Sequence, residues 1–325
     1  MRLATFNLEN LDAPPKARHT VAERAEVLRP QLNRLNADVL CLQEVNSQRH
    51  TGTKDRTLDA LDILLNGTQY EIYSRAASQG AENGHLADVH NLVILSRFPI
   101  CSHIELKHTL LPPLAYQAIT AIPNETSPQP VFFERPALVA EVALANGTKL
   151  TVINLHLRAP LASAIAGQKQ SPLSWKSTSG WAEGFFLSSL KRSAQALEIR
   201  LAVDHILDAD PHSLIAICGD FNAEDYETPL KILQAAEDDT GNSRLATRSL
   251  VIEDRALPHD RRFSVLHRSR PLMLDHILVT RSLAAHLTGV FVHNETLCDE
   301  TEAAGGTDSQ LGSYHAPLVA ELSIS

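Results

Sequence analysis

The architecture is decided by one stretch, Leu214-Ile215-Ala216-Ile217-Cys218-Gly219-Asp220-Phe221-Asn222, in which five apolar residues lead into a glycine, an aspartate and an asparagine. A short continuous apolar run bounded by such residues is typical of a buried strand. We therefore predict a strand over Ser213–Gly219. Asp220 and Asn222 then lie just beyond its carboxyl end.

Polar residues also stand at or just beyond the ends of other predicted strands. The strands are predicted over Arg2–Leu8, Ala37–Gln43, Tyr70–Arg75, Asn91–Ser96, Pro136–Leu144, Lys149–His156, Asp275–Thr280 and Pro317–Ser323. The polar residues are Asn7, Glu9, Glu44, His156, Asp275 and His315. An isolated carboxylate at a strand end is usually a cap, but a set made only of Asn, Asp, Glu and His forms a metal and acid–base pocket if the strand ends converge.

The order of strands and helices predicts the fold class. Thr20 and Glu23 have the spacing of a capping box, and Pro30 predicts a kink or a break in the helix that follows. Many strands with few helices between them favour an α/β fold of two packed sheets covered by helices over a doubly wound parallel sheet. The predicted helices are Thr20–Leu35, Lys191–Leu207 and Glu227–Ala236.

Two segments resist assignment to strands or helices. Thr109–Pro130 is rich in Pro, Ala and Thr, and Arg158–Ser189 contains both tryptophans, Trp175 and Trp181. Long structureless connections within a domain are usually functional or disordered, so we predict a lid or a substrate-facing loop at 158–189. No shift in composition marks a boundary, and we predict a single domain over residues 1–325.

Composition narrows the classes of protein. The 29 basic and 38 acidic residues give a net charge of −9, which argues against a protein that coats nucleic acid without specificity. No apolar run is long enough for a transmembrane helix. The chain starts without a signal-peptide pattern, and its scattered cysteines are typical of buried free thiols, so we expect a cytoplasmic location and no stable membrane insertion. The cysteines are Cys41, Cys101, Cys218 and Cys298.

Ordered motifs along almost the whole chain resemble the endonuclease/exonuclease/phosphatase superfamily. Gly219-Asp220-Phe221-Asn222 is the most diagnostic of them. The resemblance implies a four-layer α/β sandwich of the deoxyribonuclease-I type, with two mixed β-sheets flanked by helices, that cleaves phosphate esters with a divalent metal. The other matching segments are Thr5–Asn10, Leu42–Val45, Asn91–Ile100, Ile153–Leu157, Asp275–Leu278 and Ser313–Leu318.

The resemblance also implies which residues hold the metal and contact the phosphate. Glu44 matches the main metal-binding glutamate, with Asn7 beside it, and Glu9 falls where some members place a metal-linked aspartate. The metal implied is Mg²⁺, with Mn²⁺ as a possible substitute. Arg135 is similar to a phosphate-contacting arginine. Tyr314 departs from the pattern, because the family usually has an aspartate there that can reach the metal, which leaves the number of bound metals open.

The catalytic residues implied by the resemblance lie in the other motifs. Asp220 and Asn222 match the pair that orients the attacking water and the phosphate. His156 matches a position that is histidine or tyrosine in different branches of the family. His315 with Asp275 resembles the histidine–aspartate dyad.

These residue types suit phosphate ester hydrolysis without the resemblance. A phosphodiester is anionic, so catalysis requires charge neutralisation, and a hard cation held by carboxylate and amide oxygens supplies it. Histidines donate hydrogen bonds or act as acid or base near neutral pH, and an aspartate behind one of them fixes its tautomer. The scattered histidines lack the spacing of a zinc site and are interpreted as surface or packing residues. They are His85, His90, His103, His108, His205 and His212.

Three functions remain open. The first is a metal-dependent phosphodiesterase that acts on nucleic acid, and the second is a phosphatase or phospholipase-like hydrolase of a small phosphorylated or lipid substrate. The third is a non-catalytic binding module on the same fold, which the departure at Tyr314 suggests. Fold alone does not choose among them. A local basic patch for nucleic acid could come from Lys169, Lys176, Lys191 and Arg192.

Overall fold

The computed structural model describes residues 1–13, 19–50, 52, 55–80, 85–301 and 311–324. Its strands are β1 (Arg2–Leu11), β2 (Val39–Val45), β3 (Gln48–Arg49), β4 (Arg56–Thr57), β5 (Ser74–Ala77), β6 (Asn91–Ser96), β7 (Ile100–Leu106), β8 (Leu114–Tyr116), β9 (Gln129–Val131), β10 (Ala137–Ala143), β11 (Lys149–His156), β12 (Lys169–Ser171), β13 (Ser174–Trp175), β14 (Leu214–Asp220), β15 (Leu250–Ile252), β16 (Val265–His267), β17 (Arg270–Leu272), β18 (Asp275–Thr280), β19 (Leu287–Val292) and β20 (Leu318–Leu322). Its helices are α1 (Val21–Leu35), α2 (Asp59–Leu65), α3 (Thr178–Ala209), α4 (Thr228–Gln234), α5 (Glu237–Thr240) and α6 (Arg281–Ala284).

Two large mixed sheets form the centre of the molecule. The first sheet has the order β19-β20-β1-β2-β6-β5, and the second has the order β15-β18-β14-β11-β10-β7. Within them β1 runs parallel to β2, and β11 runs parallel to β14. Strands β20 and β18 run antiparallel to β1 and β14, respectively.

The core divides into three apolar clusters that define four layers. One cluster lies between the sheets, a second between the first sheet and helices α1 and α2, and a third between the second sheet and helices α3 and α4. This is the predicted two-sheet sandwich covered by helices. Representative members of the three clusters are Leu3, Val152 and Ile277; Leu28, Leu40 and Leu61; and Ile199, Ile215 and Leu230.

The inner faces of the sheets change from apolar to polar along each central strand. Alternate residues of a strand share a face, so each strand shows this change at every second position. In order from the core to the edge, the inner-face residues are Leu3, Thr5 and Asn7 on β1; Cys41 and Gln43 on β2; Val152, Asn154 and His156 on β11; and Cys218 and Asp220 on β14. In the middle of this gradient the buried Gln43 Nε2 donates to Asn154 Oδ1 at 2.8 Å, across the gap between the sheets. Along each of these strands, the inner-face residues therefore belong to the apolar core at one end and to a polar cluster at the other.

Most predicted elements are confirmed. Asn91–Ser96, Lys149–His156 and Asp275–Thr280 are strands with the predicted bounds. Thr20 caps α1 through the predicted capping box with Glu23, and the helix continues through Pro30 instead of breaking there.

The long loop predicted at 158–189 is wrong over its second half. Strands β12 and β13 form a hairpin there, and α3 starts at Thr178, thirteen residues before the predicted helix at Lys191. Its first turns carry Gly180 and Gly184 on one face. A Cβ at Gly184 would lie 2.3 Å from Ser163 O, so the missing side chain lets the preceding segment pack directly on the helix.

Other corrections are smaller. The segment predicted as a loop at Thr109–Pro130 contains β8, which pairs with β9. The strand predicted at Tyr70–Arg75 is a 3₁₀ turn over Gln69–Ile72 followed by β5. All four cysteines are free as predicted, but Cys101 and Cys298 are exposed. Among the described residues, no helix is long and apolar enough to cross a membrane.

Candidate active site

The predicted site residues converge at one end of the sandwich. Strands β1 and β2 end there in the first sheet, and β11 and β14 end there in the second. Strand β18 begins there, with Asp275 paired to Asp220 across the ladder, and His315 precedes β20 at the same edge. Opposite strand directions therefore bring residues from both ends of the chain together.

Unusual backbone conformations surround this edge. Gly219 has a φ of +146°, and a Cβ there would lie 1.9 Å from Leu155 O, so only glycine allows β14 to approach β11 directly before Asp220. Glu9, Glu44 and Asn222 have φ values of 51°, 58° and 48°. Left-handed conformations of non-glycine residues are uncommon and cluster at functional sites.

Asp220 is the centre of the hydrogen-bond network. Its Oδ2 accepts from Asn7 Nδ2 at 3.1 Å and from Asn222 Nδ2 at 3.2 Å, and its Oδ1 accepts from Asn222 N at 2.8 Å. His156 Nε2 lies 3.3 Å and His315 Nε2 lies 3.9 Å from the same Oδ2. Burial raises the pKa of Asp220 to about 7, and the Asp275 and Glu44 carboxylates add to the rise while His315 opposes it.

His315 and Asp275 form the predicted hydrogen-bonded pair. His315 Nδ1 lies 2.7 Å from Asp275 Oδ2, which leaves Nε2 facing Asp220. Burial alone would lower the pKa of His315, but the carboxylates of Asp275 and Asp220 outweigh it and raise that pKa to about 10. Ser264 Oγ accepts from the backbone N–H of Asp275, and Ser313 Oγ accepts from that of His315, which fixes both partners. The ring is a cationic donor aimed into the site.

The ring of His156, in contrast to that of His315, is neutral. Burial lowers its pKa well below 6.5, and the neighbouring Arg135 adds to the shift. Arg135 Nη1 donates to His156 Nδ1, and since a guanidinium can only donate, Nδ1 is an acceptor and Nε2 carries the proton. That N–H lies near Asp220 Oδ2 and 3.8 Å from Glu44 Oε1. The site thus contains one neutral and one cationic imidazole.

The predicted metal residues line the first-sheet side of the site. Glu44 Oε2 accepts from Asn10 N at 2.9 Å, and Asn7 Oδ1 accepts from Glu9 N at 2.9 Å. Each of these oxygens keeps a second lone pair for a cation. Burial raises the pKa of Glu9, and the Glu44 carboxylate adds to the rise.

The residues present fit a hard divalent cation. Asp275 Oδ1 is buried and has no hydrogen-bond partner among the described residues, so a carboxylate oxygen in the site is uncompensated. The ligand atoms of Asp220, Asp275 and His315 all lie within 4.8 Å of one another, and because the His315 ring is protonated, the two carboxylates are the donors of this trio. This compact trio differs from the set predicted from the sequence, which is centred on Glu44. Oxygen donors dominate both sets, as Mg²⁺ or Mn²⁺ requires.

The departure at Tyr314 is accommodated by the backbone. Tyr314 N donates to Glu9 Oε2 at 2.7 Å, so its main chain, and not a side-chain carboxylate, meets the first-sheet side of the site. Glu9 therefore brings a carboxylate close to the position where the sequence lacks the usual aspartate.

The sequence predicts a surface or packing role for His90, but the structure places this residue beside the site. Its Nδ1 lies 3.8 Å from Glu44 Oε2, and its ring centroid lies 6.4 Å from that of His156. The residue has a φ of 58° and directly precedes β6. No motif marked it, although its position next to a predicted strand was a usable signal.

Three of the four residues of the predicted basic patch contact other groups of the protein. Lys191 Nζ lies 2.9 Å from Glu134 Oε1, and Arg192 Nη1 donates to Asn222 O at 2.5 Å. Lys169 Nζ lies 4.2 Å from the centroid of the Trp175 ring. Lys176, the fourth residue of the predicted patch, is exposed, whereas Arg192 is buried and supports the turn that carries Asn222.

A buried ion pair supports the site from behind. His276 Nδ1 lies 3.0 Å from Asp254 Oδ1, and its Nε2 lies 2.9 Å from Ala223 O, next to Asn222. Arg262 Nη2 donates to Asp254 Oδ2 at 2.7 Å. This network fixes the turn that carries Asn222, and no pattern in the sequence identifies it.

Comparison with known proteins places the chain in a family. The model of the endonuclease/exonuclease/phosphatase family matches residues 4–315. No curated protein matches the chain in sequence. The fold resembles a mannosyl-6-phosphatase from Bacteroides thetaiotaomicron, with a TM-score of 0.59 and 15% identity over 99% of each chain.

Two further solved structures show the same fold. Truncated TDP2 from Caenorhabditis elegans aligns with a TM-score of 0.55 and 16% identity, over 98% of this chain and 95% of that one. An endonuclease/exonuclease/phosphatase from Bacteroides vulgatus aligns with a TM-score of 0.56 and 14% identity, over 100% and 98%. Since the family model spans nearly the whole sequence, this protein belongs to the endonuclease/exonuclease/phosphatase family.

Proposed function

We propose that this protein is a divalent-metal-dependent phosphoesterase that acts on phosphodiesters by in-line attack of an activated water. The observation that carries the proposal is the network around the carboxylate of Asp220. Two side-chain amides, one neutral imidazole and one cationic imidazole surround this carboxylate. Family membership supports hydrolysis of phosphate esters as the general reaction. Nucleic acid is the first candidate substrate.

The chain's own residues divide the work. Asp220, oriented by Asn7 and Asn222, accepts a proton from the attacking water. His315, charged and held by Asp275, donates to an oxygen of the phosphate.

Two further groups face the phosphate. His156, neutral and held by Arg135, donates through Nε2, and Arg135 supplies a fixed positive charge. A bound Mg²⁺ or Mn²⁺, held by Glu44 with Asn7 and Glu9, would neutralise charge on the phosphate oxygens.

A second candidate is a phosphatase of a small phosphorylated substrate. It is favoured by the pairing of Lys191 and Arg158 with Glu134, which removes two cations from the surface that a nucleic acid would cross. A mannosyl-6-phosphatase is among the proteins of similar fold. A single domain and a cytoplasmic location remain predictions.

The deciding experiment is an activity screen of the purified protein with Mg²⁺ and Mn²⁺. The substrates are single- and double-stranded DNA, RNA, bis(p-nitrophenyl) phosphate and sugar phosphates. We expect hydrolysis of at least one diester, its loss in EDTA, and a fall of at least 100-fold in Asp220→Asn. Hydrolysis of monoesters alone would establish the second candidate. No turnover of any substrate, with retained binding of a phosphate ester, would show a binding module.

A further inference from the structure

A cavity of about 400 Å³ lies beside the candidate active site, between α3 and the segments that the sequence marked as loops. Its walls come from β8, Ala118, Glu125, β9, residues 132–134, residues 163–166 and two positions of α3, Leu187 and Lys191. The volume is within the range of small-molecule pockets. The cavity is not made by residues assigned above to metal binding or to proton transfer.

The cavity shares its walls with the catalytic centre through consecutive residues. Glu134 lines the cavity, and the next residue, Arg135, contacts His156. Lys191 lines the cavity, and the next residue, Arg192, donates to Asn222 O. Two separate elements therefore face the cavity on one side and the catalytic residues on the other. Arg135, the proposed phosphate contact, thus directly follows a residue that lines this space.

A buried carboxylate of α3 holds one wall of the cavity in place. Glu183 accepts hydrogen bonds from Tyr116 Oη at 2.8 Å, from Ile119 N at 2.5 Å and from Thr120 N at 2.8 Å. On the other side, Ile122 N donates to Ala166 O at 2.9 Å, which joins segment 109–130 to segment 158–189. The cavity is thus preorganised by specific bonds, which reduces the entropy lost when a ligand binds.

Three aromatic residues, Tyr116, Phe132 and Phe133, line the cavity beside aliphatic and polar residues, and among the described residues of the lining one buried polar atom lacks a partner. Phe132 lines the cavity and is 54% exposed, while Phe133 is buried with its ring stacked on His108 at a centroid distance of 3.9 Å. Ser163 also lines the cavity and is 6% exposed, yet its Oγ has no hydrogen-bond partner among the described residues. A buried hydroxyl without a partner costs free energy unless something binds it.

The charges at the cavity balance locally. Glu134 Oε1 lies 2.7 Å from Arg158 Nη1 and 2.9 Å from Lys191 Nζ, and the carboxylate of Glu125 also lines the cavity, so two carboxylates balance two cations. The cavity therefore favours a neutral group over an anionic one. Aromatic walls and one hydroxyl suit a flat ring that carries a hydrogen-bonding edge.

We propose that this cavity binds a neutral aromatic ring with a hydrogen-bonding edge, which belongs to the organic group esterified to the scissile phosphate. The ring lies against Phe132 and its polar edge pairs with Ser163 Oγ. This inference rests on the proposed function and names the substrate class of the same site. Nucleobases and polar aryl groups share this chemistry, and the test separates them.

The test measures binding, so that it does not depend on turnover. Affinities are determined by calorimetry in Mg²⁺ with Asp220→Asn, which should not consume ligand. The probes are adenosine 5′-monophosphate, phenyl phosphate, ribose 5-phosphate and n-hexyl phosphate. We expect adenosine 5′-monophosphate to bind at least tenfold more tightly than ribose 5-phosphate, because the nucleotide carries an aromatic base in place of the anomeric hydroxyl of the sugar. If phenyl phosphate binds as tightly as the nucleotide, the source is an aryl group. Tightest binding by n-hexyl phosphate would overturn the proposal in favour of an alkyl chain.

Variants then locate the ring, each made in the Asp220→Asn background. Leu187→Trp fills the cavity, and Phe132→Ala removes an exposed wall with little risk to folding; each should reduce the tenfold preference to less than threefold. Ser163→Ala should weaken the nucleotide severalfold and leave phenyl phosphate unchanged. Phe291→Ala is the matched control, since Phe291 is 44% exposed on β19 and lies outside this cavity. An unchanged preference in both Leu187→Trp and Phe132→Ala would overturn the assignment.

Failure of this inference and failure of the proposed function give different results. Hydrolysis by the wild-type protein without any preference for a ring would leave the phosphoesterase intact and refute the subsite. A ring preference lost in Phe132→Ala, in a protein that hydrolyses nothing, would support the subsite and refute the enzyme.

Discussion

His315 Nδ1 lies 2.7 Å from Asp275 Oδ2, a hydrogen bond between residues that are 40 positions apart: Asp275 begins β18 of the second sheet, and His315 lies just before β20 of the first. The bond orients the imidazole so that Nε2 faces Asp220, and the negative charge stabilises the protonated ring. The aspartate therefore acts through the histidine.

The first prediction concerns this pair. Asp275→Asn and His315→Ala should each lower kcat/KM by about 100- to 10,000-fold, because the first removes the charge that holds the ring and the second removes the donor. Since the residues act as one unit, the double variant should be little worse than the more damaging single variant. The measurement is kcat/KM on the best substrate of the screen. Losses that multiply would show that the residues act separately.

The second prediction concerns the metal. Glu44→Gln keeps the shape of the side chain and removes its charge, so we expect turnover to fall at least 100-fold and the Mg²⁺ concentration for half-maximal rate to rise. Mg²⁺ titrations of activity and thermal melts test this. Glu295→Gln is the control, because Glu295 is paired on the surface with Arg34. Full activity of the wild-type protein in saturating EDTA would rule out the metal role.

The third prediction is a pH dependence of stability from the buried pair of Asp254 and His276. Burial opposes both charges, but their mutual attraction outweighs it, lowering the pKa of Asp254 below 3.8 and raising that of His276 above 6.5. The contribution of Asp254 is present above pH 3.8 and is lost as the pH falls through its lowered pKa. That of His276 is present below pH 6.5 and is lost as the pH rises through its raised pKa.

The pair should therefore stabilise the fold most between about pH 4 and 6.5. Asp254→Asn should lower the free energy of unfolding by about 3–5 kcal/mol at pH 6, because Arg262 and His276 lose their buried partner. Urea unfolding of the wild-type and variant proteins from pH 4 to 9 measures the difference. A difference that grows above pH 7 would contradict the assigned charges.

The fourth prediction concerns Glu183. Replacing it with alanine removes the acceptor for Ile119 and Thr120, so the segment at 116–120 should loosen. We expect a loss of about 1–3 kcal/mol in unfolding free energy and faster cleavage of this segment by proteases. Because the catalytic residues keep their own contacts, kcat on bis(p-nitrophenyl) phosphate should change less than threefold. A large fall in that kcat would make the segment part of the catalytic scaffold.

The sequence predicted the strands at the site well because each is a continuous apolar run that ends on a polar residue. Asn91–Ser96 and Lys149–His156 are buried along most of their length, and burial on both faces leaves a strong signal. The convergence of the strand ends could be inferred from the family motifs but not from periodicity, since the pairing of β1 with β20 joins residues more than 300 positions apart.

The start of α3 was missed for a physical reason. Gly180 and Gly184 lower helix propensity, and their absent side chains are used for close packing against Gln168 and Ser163. Glutamates in a helix usually face solvent, so the sequence does not predict that the carboxylates of Glu183 and Glu198 are buried. Glu198 instead accepts from the backbone N–H groups of His108 and Leu110. Tertiary contacts decide these positions, and local sequence does not reveal them.

The bond between Gln43 and Asn154 has a consequence for how the sandwich assembles. Apolar faces can slide over one another at little cost, but Asn154 Nδ2 also donates to Leu42 O and Val93 O, so its amide is satisfied at only one offset of the two sheets. A slip of one residue would leave these amides dry and unpaired, at a cost of roughly 1–3 kcal/mol for each group. The same slip would turn Asp220 away from Asn7. The interactions that disfavour a slipped assembly of the sheets therefore also disfavour a misplaced Asp220 in the candidate site.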